Sequence, residues 1–116
     1  MPRALILHNP RCSKSRATLE LLRAHGVEPE VRHYLESPLS VAELGAIVRA
    51  LGLPAQAIVR TEEALWRELK PDLAGADDAA LLAAIASHPV LLQRPIVRVG
   101  ERAAIGRPPE NVLALL

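Results

Sequence analysis

The first third of the chain constrains the fold more than any other part. A short apolar run, Ala4-Leu5-Ile6-Leu7, reads as a buried strand. Ser15 to His25 reads as a helix, with Leu19 and Leu22 on one face and Gly26 as its stop signal. Pro29 follows, and Val31-Arg32-His33-Tyr34-Leu35 then alternates as a strand does. Strand, helix and strand in succession make a βαβ unit, whose two strands run parallel.

The next stretch carries helix signals only. Glu36-Ser37-Pro38-Leu39 is a turn, and Ser40 with Glu43 makes a capping box. The helix it opens presents Leu44, Ile47, Val48 and Leu51 on one face and stops at Gly52-Leu53-Pro54. Thr61 to Leu69 reads as a second short helix closed by Pro71. Asp77 or Asp78 caps a third, with Leu81, Leu82 and Ile85 inward and Pro89 beyond its end.

Strands return near the C-terminus. Residues 95–99 and 102–105 flank Gly100-Glu101, a two-residue connection with glycine first, as a type II′ hairpin needs. Gly106-Arg107-Pro108-Pro109-Glu110 then leads into a final helix with Val112, Leu113 and Leu116 apolar. The order is β-α-β, helical block, β-β-α. It predicts an α/β chain of thioredoxin-like arrangement, a four-stranded mixed sheet with a helical insertion over about residues 40–88. No linker divides it, so residues 1–116 are expected to form one domain.

The chemistry concentrates in the loop after the first strand, His8-Asn9-Pro10-Arg11-Cys12-Ser13-Lys14-Ser15-Arg16. A residue where a loop enters a helix meets unpaired backbone N–H groups and the positive end of the helix dipole. A thiol there loses its proton more readily, and the same features suit an oxyanion. Arg11, Lys14 and Arg16 add cations close to Cys12 in sequence. A lone cysteine is commonly a small buried hydrophobe. Its polar, charged neighbours here favour a reactive thiolate.

Composition removes several function classes. Aromatics are nearly absent, with Tyr34 and Trp66 alone, so there is no stacking platform for single-stranded nucleic acid. A formal charge of +1 gives no basic footprint for a duplex. The single cysteine cannot form an internal disulfide, and His25, His33 and His88 show no metal-ligand spacing. The first apolar run is too short for a membrane span or signal peptide, so a cytoplasmic, reducing setting is expected.

His8-Asn9-Pro-x-Cys12-x-x-Ser15-Arg16, His33-Tyr34-Leu35, Arg94-Pro95-Ile96-Val97 and Gly106-Arg107-Pro108 occur in one order at one spacing. In this the chain resembles the glutaredoxin-coupled, glutathione-dependent arsenate reductases, and within them a small bacterial subgroup. The likeness runs from about residue 4 to the C-terminus. It implies that Cys12 attacks the arsenic of arsenate while Arg60, Arg94 and Arg107 hold oxyanion and thiolate. A planar guanidinium suits that task, offering paired donors to a tetrahedral oxyanion at constant charge. Arg60 rests on the resemblance alone, since its charged loop otherwise reads as solvated. Arg94 precedes Pro95, which holds its backbone extended, and in the family that proline is cis beside the active site. Arg107 sits in a rigid loop between glycine and two prolines.

His8 has two readings, a charge partner that keeps Cys12 deprotonated or a loop-end histidine without a partner. Ser13, Lys14, Ser15 and Arg16 are expected to line the oxyanion pocket, whereas Arg98 and Arg102 on the hairpin read as solvated. The implied mechanism needs no bound cofactor and no metal. With one cysteine, electrons must come from outside, from glutathione as co-substrate and glutaredoxin as partner. A low-molecular-weight phosphatase is excluded, because its Cys-x5-Arg would place arginine where Thr18 stands. A monothiol glutaredoxin-like oxidoreductase fits Cys12-x-x-Ser15. A redox-linked regulator that binds RNA polymerase is the third reading, and those proteins commonly carry Cys-x-x-Cys.

Overall fold

The structure, a computed structural model, describes residues 3–73 and 75–116, with the side chains of residues 71 and 72 excepted. It resolves two compact units, residues 38–93 and the two flanking segments together.

The flanking segments build the sheet. Strands β1 (Ala4–His8), β2 (Glu30–His33), β3 (Ile96–Val99) and β4 (Arg102–Ile105) lie in the order β2-β1-β3-β4. β1 pairs parallel with β2, His8 opposite His33, as a βαβ unit requires. β3 runs antiparallel to both β1 and β4. Helix α1 (Ser13–Ala24) is the crossover. Alternation along the strands sends Ile6 and Val97 to one face, where they join Leu22, Val112 and Leu115 in a closed cluster. Their chain neighbours Leu7 and Ile96, which pair with each other in register, point to the opposite face and are also almost wholly buried, so both faces of the sheet are covered.

At the β3–β4 connection Gly100 takes φ 62°, and among the described residues, Glu101 included, no non-glycine residue has positive φ, the signs a type II′ turn demands. The last element, Pro109–Leu115, is a 3₁₀ helix rather than the expected α-helix. Its three-residue repeat aligns Val112 with Leu115, which are buried, and turns Leu116 out to 48% exposure.

The helical unit runs wider than the predicted insertion. Helix α2 (Val41–Leu51) has the expected box, with Ser40 Oγ accepting from Glu43 N–H and the Glu43 carboxylate accepting from Ser40 N–H. Gly52 closes it in the left-handed conformation. Helix α3 spans Ala64–Leu73, later than predicted at both ends. Residues 61–63 form a turn fixed by Glu63 N–H donating to the Arg60 carbonyl, and the helix continues two residues past Pro71 before ending. Asp77 caps helix α4 (Asp78–Ser87) through Ala80 N–H, and Leu81, Leu82 and Ile85 are buried. An isolated antiparallel bridge joins Val59 to Leu92, two residues without a strand signal in sequence.

Candidate active site

Strand β1 ends at His8, and the loop that follows is tied down by Asn9. Buried Asn9 accepts Arg11 N–H through Oδ1 at 3.0 Å and Cys12 N–H through its carbonyl at 3.0 Å. Its own N–H donates to Ser15 Oγ at 3.0 Å. These bonds deliver Cys12 to the N-cap of α1 with extended backbone, φ −93° and ψ 121°. An N-cap side chain is the one that meets the free N–H groups of the first turn. The polar, charged stretch after β1 marks the loop in sequence without revealing that Asn9 anchors it.

Cys12 is only 8% exposed, and burial pushes its thiol pKa up. The Ser15 N–H, the Arg94 guanidinium and the Lys14 N–H pull it down by more, and the net shift is downward. Ser15 and Lys14 therefore act on the sulfur through their backbones. Arg11, Ser13, Lys14 and Arg16 carry exposed side chains, and Arg16 Nη1 donates to the Pro10 carbonyl at 2.8 Å. The sequence neighbours expected to supply positive charge are thus turned to solvent or to the loop.

The charge comes from the far end of the chain. Arg94 lies just ahead of β3, and hydrogen bonding to Cys12 with Tyr34 close by raises its pKa despite the cost of burial. Arg107 Nε donates to the Arg94 carbonyl at 2.7 Å, and Nη2 lies 3.7 Å from Cys12 Sγ. The Arg107 loop is held from both sides. Gly106 N–H donates to the Pro95 carbonyl at 2.9 Å, and Asn111 Nδ2 donates to the Arg107 carbonyl at 3.1 Å. A Cβ on Gly106 would stand 2.6 Å from Thr18 Oγ1 and 2.8 Å from Pro95 Cγ, so this close approach requires glycine. The Arg94–Pro95 peptide is cis, and so is Arg107–Pro108, which carried no such expectation.

His8 is not a loop-end histidine without a partner. It is buried, and its Nδ1 lies 2.6 Å from Ser15 Oγ. Burial first, then the charges of His33, Arg23 and Arg16, lower its pKa, which leaves the ring neutral near pH 7. It is a hydrogen-bond partner of the loop through Ser15. His33 packs against it edge-on, with ring centroids 5.8 Å apart.

Arg60 belongs to the helical unit, where its side chain is 10% exposed rather than solvated. Its N–H donates to the Leu91 carbonyl at 2.7 Å, and Nε donates to Glu63 Oε1 at 3.2 Å. The hairpin arginines are engaged too, Arg98 with the Gly100 carbonyl at 2.7 Å and Arg102 with the Ala114 carbonyl at 2.6 Å. Among the described residues no cluster of three or more His, Cys, Asp or Glu could hold a metal. Among them no helix is long and apolar enough to cross a membrane.

A mixed sheet in this order, with a thiol at the N-cap of its first helix and two arginines closing on the sulfur, defines a protein of thioredoxin-like fold. The model of the ArsC family matches residues 7–115. The chain belongs to that family. It is 50% identical, over the full length of both chains, to a Neisseria meningitidis protein named arsenate reductase. It is 44% identical to the arsenate reductase of Haemophilus influenzae, over 97% of each chain. The solved arsenate reductase of Vibrio cholerae superposes with a TM-score of 0.94 at 46% identity, over 99% of this chain and 98% of that one. Relatives so named place the chain among oxidoreductases.

Proposed function

We propose that this protein reduces arsenate to arsenite, with Cys12 as nucleophile and glutathione and glutaredoxin as the source of electrons. One observation carries the reading. Cys12 Sγ is served by the Ser15 and Lys14 N–H groups and by the Arg94 guanidinium, with Arg107 Nη2 at 3.7 Å. A site that stabilises negative charge on sulfur in this way also suits an oxyanion brought up to it. The family membership and the names of the relatives point to arsenate as that oxyanion.

The Cys12 thiolate displaces one oxygen of arsenate as water, a proton being taken up, and an S–As bond forms. Arg94 and Arg107 offset charge on the remaining oxygens, with Arg60 as the third arginine that the resemblance assigns. Glutathione thiolate then attacks the Cys12 sulfur. The S–As bond breaks with its electron pair passing to arsenic, arsenite leaves, and a Cys12–glutathione disulfide remains. Glutaredoxin thiolate takes the glutathionyl group and frees Cys12. The sum is two thiols oxidised to one disulfide for each arsenic reduced by two electrons.

The reading is tested by incubating purified protein with arsenate and measuring arsenite. Sustained arsenite production with glutathione and glutaredoxin, and none with thioredoxin alone, is expected. Turnover on thioredoxin without glutathione would overturn the electron source, and no arsenite under any reductant would overturn the substrate.

A further inference from the structure

Beside the loop that carries Cys12 lies a cleft. It has a volume of about 170 Å³, with residues 8–11 on one wall and His33, Leu35 and Glu36 on the other. The sheet order puts it on the β2 side of β1, because His33 ends β2 opposite His8. Arg94 and Arg107 reach Cys12 from loops ahead of β3 and after β4, and Arg94 also bonds Tyr34, which follows β2 beside the cleft.

Attack on a sulfur runs in line with the bond it breaks. A thiolate that displaces arsenic from Cys12 approaches opposite the arsenic, and this cleft, walled by the loop that carries Cys12, stands ready to hold the molecule that brings it. The cleft is lined for such a visitor. Arg11 and Glu36 are exposed charges of opposite sign on its two walls, and among the described residues neither forms a salt bridge. Leu35, between His33 and Glu36, is a large hydrophobe left 45% exposed.

Resting on the arsenate-reductase reading above, we infer that this cleft seats the thiol co-substrate, a small zwitterionic peptide thiol. Arg11 meets a carboxylate, Glu36 meets the ammonium group, and Leu35 lies under the apolar part of the peptide. At about 170 Å³ the cleft holds one end of such a molecule while the thiol end extends to Cys12. The peptide thiolate forms the new S–S bond to Cys12, and the electron pair of the broken S–As bond leaves with arsenic.

Thiol–disulfide exchange tests the cleft without arsenate. Oxidised glutathione transfers one glutathionyl group to the Cys12 thiolate and releases one glutathione thiolate, and mass spectrometry follows the adduct. Hydroxyethyl disulfide is the uncharged comparison. Arg11→Glu and Glu36→Lys should each slow the glutathione reaction about fivefold, the scale of one exposed ion pair, and leave the neutral reagent within about twofold. Glu101→Lys, the same charge change at the hairpin tip, should leave both rates as in the parent. Equal slowing with both disulfides, or no slowing with glutathione, would overturn the inference. A parent protein that makes no arsenite yet loses its glutathione preference on charge reversal would defeat the arsenate reading and uphold the cleft.

Discussion

Arg107 holds the main chain of Arg94. Its Nε donates to the Arg94 carbonyl at 2.7 Å while its Nη2 stands 3.7 Å from Cys12 Sγ. One guanidinium thus braces the loop that carries the other, and both point their charge at the same sulfur. Removing the fork from either should disturb the pair.

Lysine at position 94 or 107 keeps the charge and loses the paired donors. A charge-assisted hydrogen bond contributes roughly 1.5–3 kcal/mol, so kcat/KM for arsenate should fall about 10- to 100-fold in each variant. Alanine should be worse. Arg98→Ala should leave steady-state kinetics unchanged, because Arg98 serves the hairpin through the Gly100 carbonyl. Lysine variants at 94 and 107 that turn over like the parent would place the oxyanion elsewhere.

The lowered Cys12 pKa predicts an iodoacetamide reaction whose pH midpoint falls below the roughly 8.5 of a free thiol. The same shift has a sign in stability. Between the folded and unfolded thiol values the unfolded chain holds the extra proton, so unfolding free energy rises with pH across that window. The gain persists above the unfolded value and is lost as pH falls through the folded one. Urea unfolding over a pH series should show this slope in the parent and not in Cys12→Ser.

Features set by near neighbours were legible in the sequence, and the cations of the site were not. Ser40 with Glu43 and Gly100 with Glu101 act over one turn, so spacing alone places them. Arg16 stands four residues from Cys12, yet it is turned to the Pro10 carbonyl, while Arg94, remote in sequence, lowers the thiol pKa. Charge counted along a chain says nothing of which way a helix turns its side chains. The last helix was misread in register because its apolar residues satisfy an α repeat and a 3₁₀ repeat alike, and packing of Leu115 beside Val112 decides between them. The fold class followed from the order of elements; α3 began late because a turn anchored at Arg60 occupies its first residues.

Ser15→Ala should cost stability out of proportion to one methyl-sized change. The hydroxyl accepts Asn9 N–H and partners His8 Nδ1, all in buried surroundings. Leaving those groups unsatisfied costs about 1–3 kcal/mol, read as a lower urea midpoint at unchanged m. Ser13→Ala, at an exposed position, should stay within about 0.5 kcal/mol of the parent.

Gly106→Ala should destabilise by about 1–3 kcal/mol, since its Cβ has no room beside Thr18 and Pro95. Adding Thr18→Ala removes the nearer obstacle. The double variant should therefore lose less than the sum of the two single losses, measured by urea unfolding. Strict additivity would mean that the loop relieves the clash by moving away from α1.

Cys12 and Arg107 are 95 positions apart, and nearly the whole chain lies between them. A ribosome adds roughly 5–20 residues per second, so the cysteine leaves it on the order of ten seconds before the arginine does. For most of that interval neither Arg94 nor Arg107 has emerged, and the nascent thiol has at most the N–H groups of its own helix start to lower its pKa. The full set of groups that hold charge on the sulfur is assembled only after residue 107 has been made.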